Sequence, residues 1–447
     1  MSTKVQLLSE STADPIELSS HAAKTCYTSK VPEMGKTIDV RSRLFNTGHH
    51  STIQHNYYTF NIDNMSESNS CFGLYMLSPF YASDQRSGRF SKMYQDPNFA
   101  ELQNHLLHFY DMKDVNTALN FIIHGYDIYA ANKLKLDAKA KDIIKQERPS
   151  ATEKYIEQNA PKLAQEQLRM FLSMAFPTSL DYTINLSALA SLYRTAWNPE
   201  LKQVIQQMVN ILVAKYPHIE FMFDPKHKST MEWNPKLLSN NNQIKYKPTL
   251  TIEDINVDSL VLPEEKDKVY LGLYDPNCSE NSVNYIRTKV NASAGTMRQD
   301  QRHRSIKRGP ISFTGDFYLP PLLNGLSTEA KNLNNEFLQL HGKIPETLWT
   351  MVAPYGTMVE YTKLADINAL LNEQQKRTCW CAQEEIYHLS TSLRKQLIEK
   401  LGSKHPLIDQ ISPACYKDGK CCEGVRYCGR NIIERLITTN YFKDRQI

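Results

Sequence analysis

The chain has 447 residues, too many for one ordinary hydrophobic core, and at roughly 100–200 residues per domain its length predicts two domains. A hydrophobic fraction of 41% and a charged fraction of 22% are those of a folded globular protein. No apolar run approaches the roughly 20 residues of a membrane span, and a net charge of +4 is too small to make general nucleic-acid binding the default.

The first ten residues, Met1-Ser2-Thr3-Lys4-Val5-Gln6-Leu7-Leu8-Ser9-Glu10, lack the apolar core of about 7–15 residues that a signal peptide needs. Export is therefore not expected, a cytoplasmic location is, and the nine cysteines are expected to stay reduced. Gly48-His49-His50-Ser51-Thr52-Ile53-Gln54-His55 runs directly into residues 57–63, whose aromatic and β-branched content predicts a strand. Ser87-Gly88-Arg89-Phe90-Ser91-Lys92 reads as a turn that presents an arginine. Residues 99–134 and 158–176 read as helices; on the second, Leu168, Phe171, Leu172 and Ala175 face a core and carry Arg169 beside them. Leu180, Tyr182 and Ile184 alternate as in a strand, and Leu201, Val204, Ile205, Met208, Ile211 and Leu212 form one helical stripe.

Residues 224–258 are polar and broken by Pro225, Pro235 and Pro248, which predicts a linker. Beyond it, Arg298, Arg302, Arg304, Lys307 and Arg308 fall within eleven residues, a density that suits a phosphate-bearing ligand or a cofactor as well as it suits RNA. Ile386, Leu389, Leu393 and Leu397 make a second helical stripe. Each stripe follows a similar order of residues: Tyr182-Thr183, Ala188-Leu189 and Arg194-Thr195 in one case, Tyr361-Thr362, Ala369-Leu370 and Arg377-Thr378 in the other. The expected architecture is α+β, with two diverged copies of one fold, each an antiparallel sheet with flanking helices. The copies occupy residues 1–223 and 259–447, and 224–258 joins them. Cys415, Cys421, Cys422 and Cys428 crowd a glycine-containing loop, with Cys379 and Cys381 upstream. Reduced buried thiols are the expected state, with a structural zinc as the alternative.

Arg302-His303-Arg304, seven residues and Ser312 resemble the signature of the flavin-dependent thymidylate synthases, and the Gly48–His55 and Ser87–Lys92 stretches resemble two more of that family's motifs. The set is split. Counting back from Ser87, the first half has Leu77-Ser78-Pro79 in place of Arg-His-Arg; the second half has Ser312-Phe313-Thr314-Gly315 in place of Ser-x-Arg-Tyr. Complementary loss implies that the retained motifs meet at one composite pocket, half of the pockets being dead.

The resemblance implies Arg377 as the catalytic arginine, since Arg377 to Ile386 is similar to the family's Arg-x-x-x-x-Ala-Gln-x-Glu-Ile, whereas Arg194 reads as its vestigial counterpart. It implies nucleotide contacts from Gln299, Arg302, Ser87, Gly88, Arg89 and Arg169, the last with Thr350 in its second-half place. Flavin contacts are implied for His49, Ser51, Arg302, His303, Arg304, Asn185 and Asn372. FAD would be the cofactor, NADPH and methylenetetrahydrofolate the co-substrates, and dUMP the substrate methylated to dTMP, in a homodimer acting as a pseudo-tetramer. Thr52, Gln54 and Gln85 depart from the family pattern. They keep open a related pyrimidine modification such as hydroxymethylation; a non-catalytic nucleotide- or RNA-binding paralogue is the third reading.

Overall fold

The computed structural model describes residues 2–77, 80–88, 94, 96–148, 151–230, 234–258, 260, 282–413, 415–416, 421, 423–424, 428 and 445–446. Among these, no helix is long and apolar enough to cross a membrane. The first sheet contains β1 (Lys4–Glu10), β2 (Tyr57–Ser66), β3 (Tyr81–Gln85) and β4 (Pro177–Asn185), in the antiparallel order β1-β2-β4-β3. The second contains β5 (Lys236–Leu237), β6 (Ile244–Lys245), β7 (Thr249–Asn256), β8 (Tyr285–Ser293), β9 (Lys307–Arg308), β10 (Ser312–Tyr318) and β11 (Thr357–Asp366). Its order is β5-β10-β11-β8-β7, with β6 also on β10 and β9 on β11.

The helices are α1 (Pro15–Thr25), α2 (Glu67–Cys71), α3 (Phe99–Leu106), α4 (Met112–Glu147), α5 (Glu153–Leu168), α6 (Leu186–Thr195) and α7 (Pro199–Lys215). After the connection follow α8 (Ala294–Asp300), α9 (Ser327–Leu340), α10 (Glu346–Val352), α11 (Ile367–Arg377), α12 (Glu384–Leu401) and α13 (Pro406–Gln410). Both stripes read from the sequence are buried as expected: Leu201, Val204, Ile205, Met208 and Leu212 on α7, and Ile386, Leu389, Leu393 and Leu397 on α12.

Three expectations need correction. The helix expected over 99–134 is two, because the chain leaves helical geometry at Asp111 (φ −69°, ψ 150°) and restarts as α4, which continues to Glu147. The helix expected over 158–176 stops at Leu168, after which Arg169–Phe171 form a 3₁₀ turn. Much of the stretch expected as a linker is strand: β5 and β6 pair parallel to β10, and β7 pairs antiparallel to β8. The alternation of buried Leu250 and Ile252 with exposed Thr249 and Thr251 was the overlooked signal.

One core joins the first sheet to α1, α6 and α7. The other packs α3, α4 and α5 together with the second sheet, Val115, Phe121 and Leu168 lying in the same cluster as Phe317, Leu333 and Trp349. The chains of contact therefore cross between residues 1–223 and 259–447. At the crossing Ser173 pairs antiparallel with Pro354, and Met174 N–H donates to Ala353 O while Tyr355 N–H donates to Leu172 O, each at 2.9 Å.

Landmarks recur on both sides of this pairing. Asn185 caps α6 by accepting from Ala188 N–H at 2.8 Å, and Asp366, an equal distance beyond Pro354 as Asn185 is beyond Ser173, caps α11 by accepting from Ala369 N–H at 2.8 Å. Ser66, ending β2, is held by buried Glu200 through its N–H (2.9 Å) and hydroxyl, with Asn69 reaching the same carboxylate at 2.7 Å. Ser293, ending β8, is held by buried Glu385 in the same way, through its N–H (2.6 Å) and hydroxyl, with Thr296 at 2.6 Å. Burial pushes the Glu385 carboxyl up to about 7, whereas at Glu200 the bonds from His105 and Ser66 outweigh burial and hold it low.

Candidate active site

Between the two sheets lies a cleft of about 220 Å³. The first sheet supplies β3 and the Ser87-Gly88 turn that follows it; the second supplies α8, the Gln301–Arg304 turn and the end of α11. Six arginines line it: Arg86, Arg169, Arg298, Arg302, Arg304 and Arg377, and no carboxylate does among the described residues. Such a concentration of cationic forks favours an anionic ligand.

Arg169 is only 1% exposed, and its Nε and Nη2 have no hydrogen-bond partner among the described residues. Its guanidinium lies over the Tyr355 ring, 5.2 Å from the centroid. A buried cation left without acceptors is costly, so the geometry calls for an anion in front of it. Gly88 is close by because nothing larger fits: an added Cβ would lie 2.6 Å from the Tyr94 hydroxyl and 3.4 Å from Arg169 Nη1. Gln165 Nε2 donates to the Gly88 carbonyl at 3.0 Å and holds the turn in place.

Arg377 ends α11. Its Nε donates to His303 Nε2 at 2.9 Å and its Nη2 to the Gln299 carbonyl at 2.9 Å. His303 must be neutral to accept, and burial together with the neighbouring Arg377 charge holds its imidazole well below the usual range. Behind it, against the upward push of burial, Arg308 and Lys363 hold the Asp300 carboxyl well below its usual value. Asp300 takes bonds from Arg308 (2.8 Å), Lys363 (2.7 Å) and Tyr361 (3.1 Å), which fixes the turn carrying residues 301–304. The Gln299 side-chain amide is buried, and neither its oxygen nor its nitrogen has a hydrogen-bond partner among the described residues.

The other arginines are differently placed. Arg298 pairs with buried Glu67. Gln85 Nε2 donates to the same Glu67 at 2.7 Å while its oxygen accepts from Tyr75 at 2.7 Å. A carboxylate at position 85 would sit against Glu67, so the glutamine there has a local electrostatic cause. Arg302 is exposed at the rim, 3.7 Å from Asp84. Arg304 lies over Tyr81, 5.6 Å from the centroid, and Tyr81 is stacked between Tyr75 and Tyr182.

Of the residues expected from the sequence, Ser87, Gly88, Arg169, Gln299, Arg302, Arg304 and Arg377 line this one cleft. Arg89 lies outside the described residues. His303 sits behind Arg377 rather than on the lining, Asn185 is 3% exposed and spent as the cap of α6, and Asn372 is half-buried on α11 away from the cleft wall. His49 and Ser51 are exposed on the 3₁₀ turn at His50–His55, where their neighbour His50 borders a second cleft, with Arg194 and His227, rather than the arginine cleft. Tyr75, Tyr81, Ser83, Arg86 and Gln301 were not anticipated as lining; strand pairing brings Tyr81 and Ser83 there, Tyr75 comes from a 3₁₀ turn, Arg86 from just past β3 and Gln301 from the end of α8. Cys379 Sγ accepts from Cys381 N–H at 3.5 Å, and no group of three or more metal-ligating side chains occurs among the described residues, Cys422 lying outside them.

Arg194 is exposed, and its Nε donates to the His227 carbonyl at 3.0 Å, away from the arginine cleft. Phe72 follows Ser66 by the same six residues that separate Gln299 from Ser293, and the group donating to the Phe72 carbonyl is Trp197 Nε1, at 2.9 Å. Trp197 therefore makes the contact in the first half that Arg377 makes in the second. Around Phe72 stand Phe313 (5.6 Å between centroids), then Trp349 (5.1 Å from Phe313) and Phe337, stacked on Trp349 at 4.7 Å. Thr350, which precedes Pro354 by the four residues that separate Arg169 from Ser173, is buried beside Trp349.

Residues 7–218 match the family model described as thymidylate synthase complementing protein. Among solved structures, the chain is similar to a UMP/dUMP methylase, PolB, from Streptomyces cacaoi bound with 5-Br dUMP. Identity is 14%, over 49% of this chain and 94% of that one, with a TM-score of 0.33. It is also similar to Thymidylate Synthase X from Helicobacter pylori with FAD and dUMP, at 17% identity over 51% of this chain and 100% of that one, with a TM-score of 0.30. No curated protein matches.

Proposed function

We propose that this chain, which over residues 7–218 belongs to the flavin-dependent thymidylate synthase family, methylates dUMP to dTMP at the arginine cleft. The observation that carries the reading is the meeting in one cleft of an unpartnered buried guanidinium, Arg169, an unpartnered buried amide, Gln299, and Arg377. The nucleotide's phosphate would take the Arg169 fork and the donors of the Ser87-Gly88 turn. The Gln299 amide offers an acceptor beside a donor, the complement of the imide edge of uracil. Arg377, too basic to act as a proton acceptor, would stabilise negative charge as uracil N3 ionises, a preorganised electrostatic effect. His303 orients it.

FAD fits the rim rather than the floor: Arg302 and Arg304 stand there as phosphate partners with Tyr81 beneath Arg304. When bound it would supply the hydride, with NADPH as its reductant and methylenetetrahydrofolate as the one-carbon donor. The reading includes a duplicated fold with one live pocket per chain. The pairing of Ser173 with Pro354, the matched caps Asn185 and Asp366, and the matched carboxylates Glu200 and Glu385 support it. A homodimer would then present as many folds as a tetramer of single copies.

Purified protein reconstituted with FAD should show flavin absorbance at a ratio near one per chain, and product mass after incubation with labelled folate should be that of dTMP. A hydroxymethylated product would move the reading to the related reaction; failure to bind flavin or dUMP would end it.

A further inference from the structure

Two residues remote from the cleft in sequence, Arg445 and Gln446, touch both of the segments that carry its buried arginines. Arg445 is 1% exposed, its guanidinium 5.5 Å from the ring centroid of Trp380 and 5.6 Å from that of Tyr387. Its Nη1 donates to the Ala382 carbonyl at 2.6 Å, and its own carbonyl accepts from His388 Nε2 at 2.8 Å. All four partners lie in residues 380–388, a segment that begins three residues after Arg377. Gln446 faces the other way. Its N–H donates to Glu147 at 2.7 Å and its carbonyl accepts from Gln167 Nε2 at 2.6 Å, two residues before Arg169. Arg148 adds a direct bond across the same seam, Nη2 to the Trp380 carbonyl at 3.1 Å.

We propose that Arg445 and Gln446 are positioning residues that staple the 165–169 segment to the 377–388 segment, and so set the separation of Arg169 and Arg377 across the cleft. The physical reason is geometric. Arg169 and Arg377 come from segments far apart in the chain, the first beside the Tyr355 ring and the second backed by His303 and the Asp300 cluster. A ligand that bridges two cations needs them at a fixed spacing, and a loosened wall weakens both contacts together. The guanidinium packed against two touching aromatic rings supplies a rigid anchor on one side, and the paired main-chain bonds of Gln446 supply it on the other.

This inference rests on reading the cleft as a nucleotide site, so its test uses two readouts. For Arg445→Met in the full chain, the Kd for dUMP by calorimetry should rise about tenfold or more. Amide hydrogen exchange should quicken in both 165–172 and 378–388. Gln167→Leu should act in the same direction, and the double variant should lose much less than the sum of the two, since both act through one staple. Trp349→Ala, which lowers stability away from the staple, serves as the control and should leave dUMP affinity in the folded protein unchanged. Wild-type dUMP affinity with unchanged exchange in Arg445→Met overturns the proposal. If that variant does not fold, the same result in Gln167→Leu overturns it. If the wild-type chain binds no dUMP, the nucleotide reading falls, and the exchange of the two segments still decides the staple.

Discussion

The cleft at Arg169 and Gln299 and the aromatic cluster around Phe72 and Thr350 are reached by the same counts along the chain from paired landmarks, yet one is a hollow lined with cations and the other is filled by aromatic rings. Gln299 stands where Phe72 does, Arg377 donates where Trp197 does, and Arg169 corresponds to Thr350. On the polar side, the Arg169 guanidinium and the Gln299 amide are buried without hydrogen-bond partners among the described residues, whereas on the aromatic side only the small Thr350 hydroxyl is left so. There Phe313, Phe337 and Trp349 fill the space, with Trp349 donating to the Phe337 carbonyl at 2.8 Å. The contrast teaches what open polar space costs in stability: a buried guanidinium without acceptors contributes little to the fold, whereas packed aromatic rings add to the core.

That contrast predicts opposite phenotypes on the two sides. Arg377→Ala should lower turnover by about a thousandfold, as loss of a preorganised charge-stabilising donor does, with the melting temperature little changed; steady-state kinetics with dUMP checks it. Trp349→Ala should do the reverse, destabilising the fold by about 3–5 kcal/mol in urea unfolding while each folded molecule keeps its activity. An active-site defect in Trp349→Ala would break the comparison. Arg169→Met, which keeps the buried stem and removes the charge, should weaken dUMP binding by about ten- to a hundredfold in calorimetry and leave stability unchanged or raised. Gly88→Ala should have a milder effect, roughly tenfold at most in dUMP affinity, because the new methyl displaces Tyr94 and crowds Arg169.

The smallest effect is in the pH dependence. His303 is held neutral, its folded pKa far below that of the unfolded chain, so the unfolded state takes up a proton near pH 6.5 that the folded state refuses. Its contribution to stability is complete above that pH and is lost as pH falls, by up to about 1.4 kcal/mol per pH unit. Glu385, raised to about 7, works in the opposite sense: its stabilising proton is held below the unfolded carboxylate range and lost as pH rises through 7. Replacing His303 by Gln should therefore flatten the fall in stability between pH 6.5 and 5, measured by urea midpoints. An unchanged slope would show that His303 takes up a proton in the folded protein and does not serve as the acceptor for Arg377.

Sequence and structure divided the work unevenly. The seven lining residues expected from the sequence were legible because they stand in short, local stretches that resemble the family's motifs: Ser87 beside Gly88, Gln299 ahead of Arg302, and Arg377 ahead of Ala382-Gln383. The apolar stripes of α7 and α12 were legible for the same reason, since helical periodicity is written locally. Arg194 is exposed and bonded to the His227 carbonyl, while an indole two residues beyond the end of α6 donates to the Phe72 carbonyl, and only the fold brings Trp197 to Phe72. The 224–258 stretch misled because edge strands two residues long owe their existence to a neighbour already in place.

By itself the chain's order of residues determined the apolar stripes of α7 and α12, the strands begun at Tyr57 and carrying Leu180, Tyr182 and Ile184, and the concentration of cationic groups at 298–308, all of them consequences of local periodicity and composition. Tertiary structure alone decided that Arg169 and Arg377 line one cleft and that Arg445 packs against Trp380 and Tyr387. Those contacts join residues far apart in the chain, set by how its two halves pack together, and no local rule encodes them.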